Sequence, residues 1–471
     1  MNQPAPGEQP MAWRSLWAMV VGFFMILVDT TIVTVATPTI MRELNADVTS
    51  VVWVSSAYLL AYAVPLLITG RLGDRLGPKQ VYLAGLVVFT LASLGCGLTT
   101  TVELLIAARV VQGFGASLMT PQTMAVITRL FPPHQRGKAM AIWGATAGLA
   151  MLVGPILGGL LIGTLGWEWI FFINVPIGAA GYVAALRLVP DLEQHTRRFD
   201  WLGVALSGAG LFCIVFGLQE ASSHDWGVIH GPVTVTSLLV VGGVFLIAFV
   251  IWQRFNPNEP LMPLKLFADR NFSVANLAIA LVGITTVTTP YPLMIWAQDA
   301  RGLSPLLSAL MNAPAAVATM ILANWTGKLV NRVHPRYLTL FGGSVWAASL
   351  LVAGHFLDTT TPVWVPVAAL TFTGVASSFV FSPLSAAATA NLPMKHAGAG
   401  SGVYNATRQV GSVLGSAVVA TVMSTLLAAS GRTPDGIASA MSGTLLLPAA
   451  SILAVAVIAC FLERPRHQRK N

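Results

Sequence analysis

Charge is what this sequence lacks. Of its 471 residues only 9% are Asp, Glu, Lys or Arg, and 55% are hydrophobic, where a soluble protein carries roughly 25% charged residues. A chain so poor in charge cannot coat a water-facing surface of its own size, so lipid must be its main solvent. Cysteine is also scarce. Cys96, Cys213 and Cys460 all fall in apolar stretches and none has a CxxC partner, so neither a disulfide framework nor a metal site is indicated. The phosphate-binding pattern GxxxxGK followed by Ser or Thr is missing, so ATP is not expected to drive the protein directly. No long polar stretch exists to house a catalytic head, so the chain is not read as an enzyme, and no cofactor is expected. A net charge of +8 would suggest nucleic acid in a soluble domain. Here the basic residues lie in short loops between apolar runs, and no basic domain exists to bind nucleic acid.

What is present is a succession of apolar runs. The 43 glycines and 28 prolines sit inside them, as is common in membrane helices. A span needs about 20 predominantly apolar residues. Fourteen are expected, near 14–38, 50–70, 80–100, 103–128, 139–163, 169–189, 201–219, 232–253, 272–298, 303–328, 335–357, 362–390, 398–428 and 439–462. The first has no basic segment before it and no small-residue cleavage site, so it reads as a retained helix. An even number of spans puts both termini on one side. Of the 26 lysines and arginines, 21 fall on that side and three, Arg42, Arg301 and Arg432, on the other, with Arg109 and Arg408 inside spans. Basic residues stay cytoplasmic, so both termini are expected in the cytoplasm and the chain in the cytoplasmic (inner) membrane.

An internal repeat organises the spans. The loop after the second reads Gly70-Arg-Leu-Gly-Asp-Arg-Leu-Gly77, and the loop after the tenth reads Gly327-Lys-Leu-Val-Asn-Arg-Val-His334. Each follows the second helix of a group of six. The reading is a six-helix bundle over 1–190, two linking helices over 191–260 and a second six-helix bundle over 261–471. Many secondary transporters are built of paired halves.

With the Gly70–Lys79 run in place, four further motifs stand in order. They are Leu27-Val-Asp29-Thr-Thr-Ile-Val-Thr34-Val-Ala-Thr37-Pro38, Leu105-Ile-Ala-Ala-Arg109-Val-Val-Gln112-Gly113-Phe-Gly115-Ala116, Gly144 through Gly148 to Gly154-Pro155-Ile-Leu-Gly158-Gly159, and Trp167-Glu168-Trp-Ile-Phe-Phe-Ile-Asn174-Val-Pro176-Ile-Gly178. Together they resemble the major facilitator superfamily, and within it the fourteen-span drug:proton antiporter family. The likeness covers nearly the whole chain and departs at Thr34, Thr37, Pro78 and Glu168. It implies an all-α integral membrane fold and a functional monomer. The implied activity is proton-coupled multidrug efflux, an antiport of amphipathic organic compounds against protons that confers antibiotic resistance. It does not name the cargo, because one fold serves many. Export of an endogenous lipid or metabolite stays open, as does a receptor or scaffold that transports nothing.

Asp29 is the only acidic residue in the middle of any expected span. A carboxylate there must face a cavity, pair or protonate. Arg109 is its natural partner. Asp29 lies about 13 Å from the outer end of its helix and Arg109 about 10 Å from the outer end of its own, at 1.5 Å per residue. The pair is expected to couple protons to transport. If Asp29 alone carries the proton and can also face a cationic drug, monovalent or neutral cargo suits it better than a dication.

The resemblance makes Asp74 and Arg75 a cytoplasmic gate latch, with Asp74 on the positive end of the helix starting near Ala397 and Arg136 or Lys138 joining. Gly148, Gly154, Pro155 and Gly158 are expected to pack helices closely where the halves meet. Tyr58, Tyr62, Gln112, Trp143, Tyr291, Tyr404, Asn405 and Arg408 are candidates for the cavity wall. Arg408 could equally brace the cytoplasmic gate.

Overall fold

The computed structural model describes residues 8–131, 133–192, 200–221, 224–256, 260–330, 332–392 and 397–463. Among the described residues the fold is almost wholly helical. The first group of helices is α1 (Glu8–Glu43), α2 (Val48–Ala63), α3 (Leu66–Leu76), α4 (Pro78–Gly97), α5 (Val102–Leu130), α6 (Pro133–Thr164), α7 (Trp169–Phe172) and α8 (Asn174–Leu188). An antiparallel pair follows, α9 (Trp201–Glu220) and α10 (Val235–Phe255), joined by a two-stranded ribbon of β1 (Val228–His230) and β2 (Val233–Thr234). The rest is α11 (Arg270–Thr288), α12 (Pro290–Ile295), α13 (Pro305–Leu310), α14 (Ala313–Leu329), α15 (Pro335–His355), α16 (Trp364–Thr389), α17 (Ala397–Ser430), α18 (Pro434–Thr444) and α19 (Leu446–Ala459).

Twelve helical segments among the described residues are long and apolar enough to cross a membrane. Two shorter apolar helices, Val48–Ala63 and Gly148–Thr164, fall below that length, so by this measure the count stops short of the expected fourteen. The first has a local physical reason: Pro65 has no N–H to give the ladder, so α2 ends at Ala63 and α3 resumes at Leu66. The second lies within the continuous 32-residue α6.

Polar side chains start the helices. Asp47 caps α2 through the Ser50 N–H at 3.0 Å, and Asp269 caps α11 through the Phe272 N–H at 3.0 Å. Each such cap satisfies an orphan donor and is worth about 1 kcal/mol. Asp200 does more. It accepts from the Gly203 N–H at the start of α9, and from Trp252 Nε1 at 2.6 Å and Gln253 Nε2 at 2.7 Å at the end of α10. That clasp holds the linking pair together. The outward face of α10, with Val240, Val244, Ile247, Ile251 and Phe255, is exposed and apolar, as a lipid-facing helix must be.

The repeated loops join equivalent pairs. Gly77, at a φ of 92°, turns α3 into α4, which packs on α5. In the second copy α14 leads to α15, which packs on α16. Across the middle, α2 packs against α17 and α6 against α13. On the side where α1 ends, Gln298 Nε2 donates to the Val35 carbonyl at 3.0 Å and Arg42 meets Asp299 at 3.3 Å. Gln298 and Asp299 lie on a π turn, Trp296–Ala300, a distortion that frequently marks functional positions.

Candidate functional site

Asp29 stands on α1 with no solvent exposure. Three donors converge on its carboxylate. Arg109 Nη1 on α5 donates to Oδ2, Gln112 Nε2, one turn along the same helix, donates to Oδ1 at 2.9 Å, and Asn174 Nδ2 at the start of α8 donates to Oδ1 at 3.1 Å. Arg109 is fully buried as well. Its Nε donates to the Val54 carbonyl on α2 at 3.2 Å, and Nη1 donates also to Gln112 Oε1 at 2.6 Å. The guanidinium lies 4.0 Å from the centre of the Tyr58 ring and 5.7 Å from that of Phe171. Asn174 Nδ2 reaches Ser93 Oγ on α4 at 2.9 Å, and Ser93 donates to the Phe171 carbonyl at 3.0 Å. Five helical segments are thereby tied to one carboxylate.

A buried ion pair holds only when its geometry is good and its remaining valences are filled, because desolvation costs several kcal/mol per ion. Here the carboxylate is saturated and the cation nearly so. Arg109 Nη2 alone lacks a partner among the described residues. A proton on Asp29 would cancel the negative charge and leave the guanidinium buried without a counter-ion.

Of the expected cavity residues, Gln112 belongs to this cluster instead, holding both members of the pair. Tyr58 faces Arg109, and its ring lies 6.2 Å from that of Tyr62, whose hydroxyl donates to Thr120 Oγ1 at 3.0 Å. Tyr291 is buried on α12. Tyr404, buried, and Asn405 and Arg408, both half-buried, lie on α17. Trp143 is elsewhere. It stacks on Phe23 at 4.5 Å in a separate apolar cluster with Leu16 and Phe131.

The α6 glycines pack as small residues do, though two of them serve α1. A Cβ on Gly154 would collide with Thr31, and one on Gly158 with Ile32. Gly159 lies against the second half of the chain, close to the backbone of Pro305 and Leu306. Nothing lies within 4 Å of a Cβ built at Gly148, and Pro155 sits within the helix. Of the gate candidates, Arg75 is exposed at the end of α3, while the side chains of Asp74 and Arg136 lie outside the described residues.

Sequence reasoning gave no role to Asn174 or Ser93. Asn174 was visible as an amide in an apolar stretch, within a motif already quoted. Ser93 carried no signal, since a serine in a membrane helix usually bonds its own backbone.

Comparison with known proteins identifies the family. The model of the Major Facilitator Superfamily matches residues 19–416. An uncharacterized MFS-type transporter of Mycobacterium tuberculosis is 48% identical over 96% of this chain and 81% of its own length. The tetracenomycin C resistance and export protein of Streptomyces glaucescens is 32% identical over 90% of this chain and 78% of its own. In fold, the crystal structure of a D-xylose–proton symporter superposes with a TM-score of 0.68 at 14% identity, covering 96% of this chain and 98% of that one. A saturated charge cluster inside a helical membrane fold, and a family match over most of the chain, lead to one conclusion: the chain belongs to the Major Facilitator Superfamily.

Proposed function

We propose that this protein is a proton-coupled exporter of amphipathic organic compounds, drugs among them, working as a monomer by alternating access. The observation that carries the reading is the buried Asp29–Arg109–Gln112–Asn174 cluster. It is a titratable group whose charge balances a buried cation in one protonation state and not in the other, which is what coupling requires. The tetracenomycin C relative is a resistance and export protein by name, which supports outward transport.

In this reading the chain has fourteen spans. They are the twelve long segments plus the two shorter apolar helices, arranged as bundles 1–190 and 261–471 with linking helices over 191–260. Both termini face the cytoplasm. Asp29 carries the proton and Arg109 holds it ionised in one state. Asp74, Arg75 and Arg136 latch the cytoplasmic side. Gly154 and Gly158 bring α6 against α1, beside Pro155. Tyr58 and Tyr62 of α2, Tyr404, Asn405 and Arg408 of α17, and Tyr291 of α12 line the path.

The test is reconstitution into liposomes with an imposed pH gradient and a chemically diverse compound panel. The wild type is expected to move a subset of the compounds uphill and Asp29→Asn none of them. Equal transport by the two proteins would refute the reading.

A further inference from the structure

Arg408 is a cation inside the membrane that the coupling cluster does not use. It lies eleven residues into α17 from Ala397, about 16 Å along the axis. Among the described residues no carboxylate pairs with it, and the sequence puts no acid other than Asp29 at mid-depth. An intramembrane charge without a structural partner marks a substrate path more often than a brace.

Its surroundings have a consistent chemistry. Tyr404 precedes it by one turn, so both lie on one face of α17. That helix packs against α2, where Tyr58 and Tyr62 share a face in the same way. Arg408 is within electrostatic reach of both Tyr62 and Tyr404. The Tyr58 and Tyr404 hydroxyls are buried and have no hydrogen-bond partner among the described residues. Leaving a buried hydroxyl unsatisfied costs about 1–3 kcal/mol, so both are poised to donate to an arriving oxygen. The Tyr62 and Tyr404 rings thus flank one uncompensated cation where α2 faces α17, with Tyr58 one turn along α2 beside Tyr62.

The one carboxylate that could welcome a cationic drug is not available. Asp29 is saturated by Arg109, Gln112 and Asn174. The expectation that Asp29 can face a cationic cargo therefore does not describe this state. The free charge at the seam is positive.

We infer that the cargo site lies between Tyr58 and Tyr62 of α2 and Tyr404 and Arg408 of α17, and that it takes flat aromatic compounds bearing acceptor oxygens or an acidic group, such as phenolates, quinones or aromatic carboxylates, in preference to cations. The inference rests on the exporter reading, since it names the cargo of that same path.

Two xanthene dyes with one ring system and opposite charge test it, fluorescein as the anion and rhodamine 123 as the cation. Binding to purified protein in nanodiscs is read by fluorescence polarisation. Fluorescein is expected to bind at least tenfold more tightly. Arg408→Gln should cut that ratio at least fivefold and Arg408→Lys should keep most of it, with an unchanged unfolding midpoint showing that the variant is folded. A wild type that favours rhodamine 123, or a ratio untouched in Arg408→Gln, overturns the inference. Transport under a pH gradient separates the two readings. If the charge preference holds and neither dye moves, the site stands and the exporter reading falls. If rhodamine 123 is driven out as fast as fluorescein, the site falls and the exporter reading stands.

Discussion

Two arginines sit inside apolar helices of this protein and are held in opposite ways. Arg109, on α5, is fully buried, ion-paired with Asp29 and further bonded to Gln112 and the Val54 carbonyl. Arg408, on α17, is half-buried and has no carboxylate partner among the described residues. The two sites also differ in what they can do. A saturated pair resists change until a proton cancels one of its charges, so it suits a switch. A lone cation beside unpartnered hydroxyls has valences to offer, so it suits recognition. In the proposed reading the first half of the chain carries the coupling chemistry, and the second contributes charge to the cargo path.

The contrast can be attacked first at its stronger end. Arg109→Ala strands the Asp29 carboxylate in a dry site, at a cost of about 3–5 kcal/mol. The thermal unfolding midpoint of the purified protein should drop further than in Asn174→Ala, Arg408→Gln or Asp200→Ala, and proton-driven export should stop. An unshifted midpoint would contradict the buried pair. Asn174→Ala comes next. It deletes one donor to Asp29 and costs about 1–3 kcal/mol. Export should fall severalfold under a fixed pH gradient, with partial recovery in Asn174→Gln, and full activity in the alanine variant would remove Asn174 from the cluster's function.

Arg408→Gln sharpens the comparison from the other side. Removing an unpaired charge should leave stability within about 0.5 kcal/mol of wild type or raise it, while cargo preference changes. A loss as large as that of Arg109→Ala would reveal a hidden partner and erase the difference between the two arginines. The smallest effect on transport is expected far from both, at Asp200. Burial works to raise its carboxyl, but the hydrogen bonds from Trp252, Gln253, the Gly203 N–H and Asn256 outweigh burial and hold it below the usual value. Stability from this clasp is therefore complete above the ordinary carboxylate range and lost as pH falls through the lowered value. Asp200→Ala should cost about 1 kcal/mol at neutral pH and converge with wild type in acid, leaving transport unchanged.

Much of this is legible in the sequence alone. The apolar runs become helices because lipid leaves no other backbone solution. The pair Asp29 and Arg109 stands out because ionisable residues at mid-depth are so few. Other features depend on three-dimensional packing. Gln112 reads as a cavity residue in sequence, and only the approach of α1 to α5 shows it bonded to both charges. Trp143 reads as the same cavity's wall, yet it stacks on Phe23 within a different cluster. The break after Ala63 depends on one proline in a continuous apolar run, where hydropathy is uniform and gives no warning.

The central claim is that Asp29 carries the proton that is exchanged for cargo. It is tested most directly by adding cargo, chosen from the compound panel, to purified protein in a weakly buffered solution and recording the protons released with a pH-sensitive dye. Wild type is expected to release protons in proportion to bound cargo, and Asp29→Asn to bind cargo without release. Equal release from the two proteins would contradict the account.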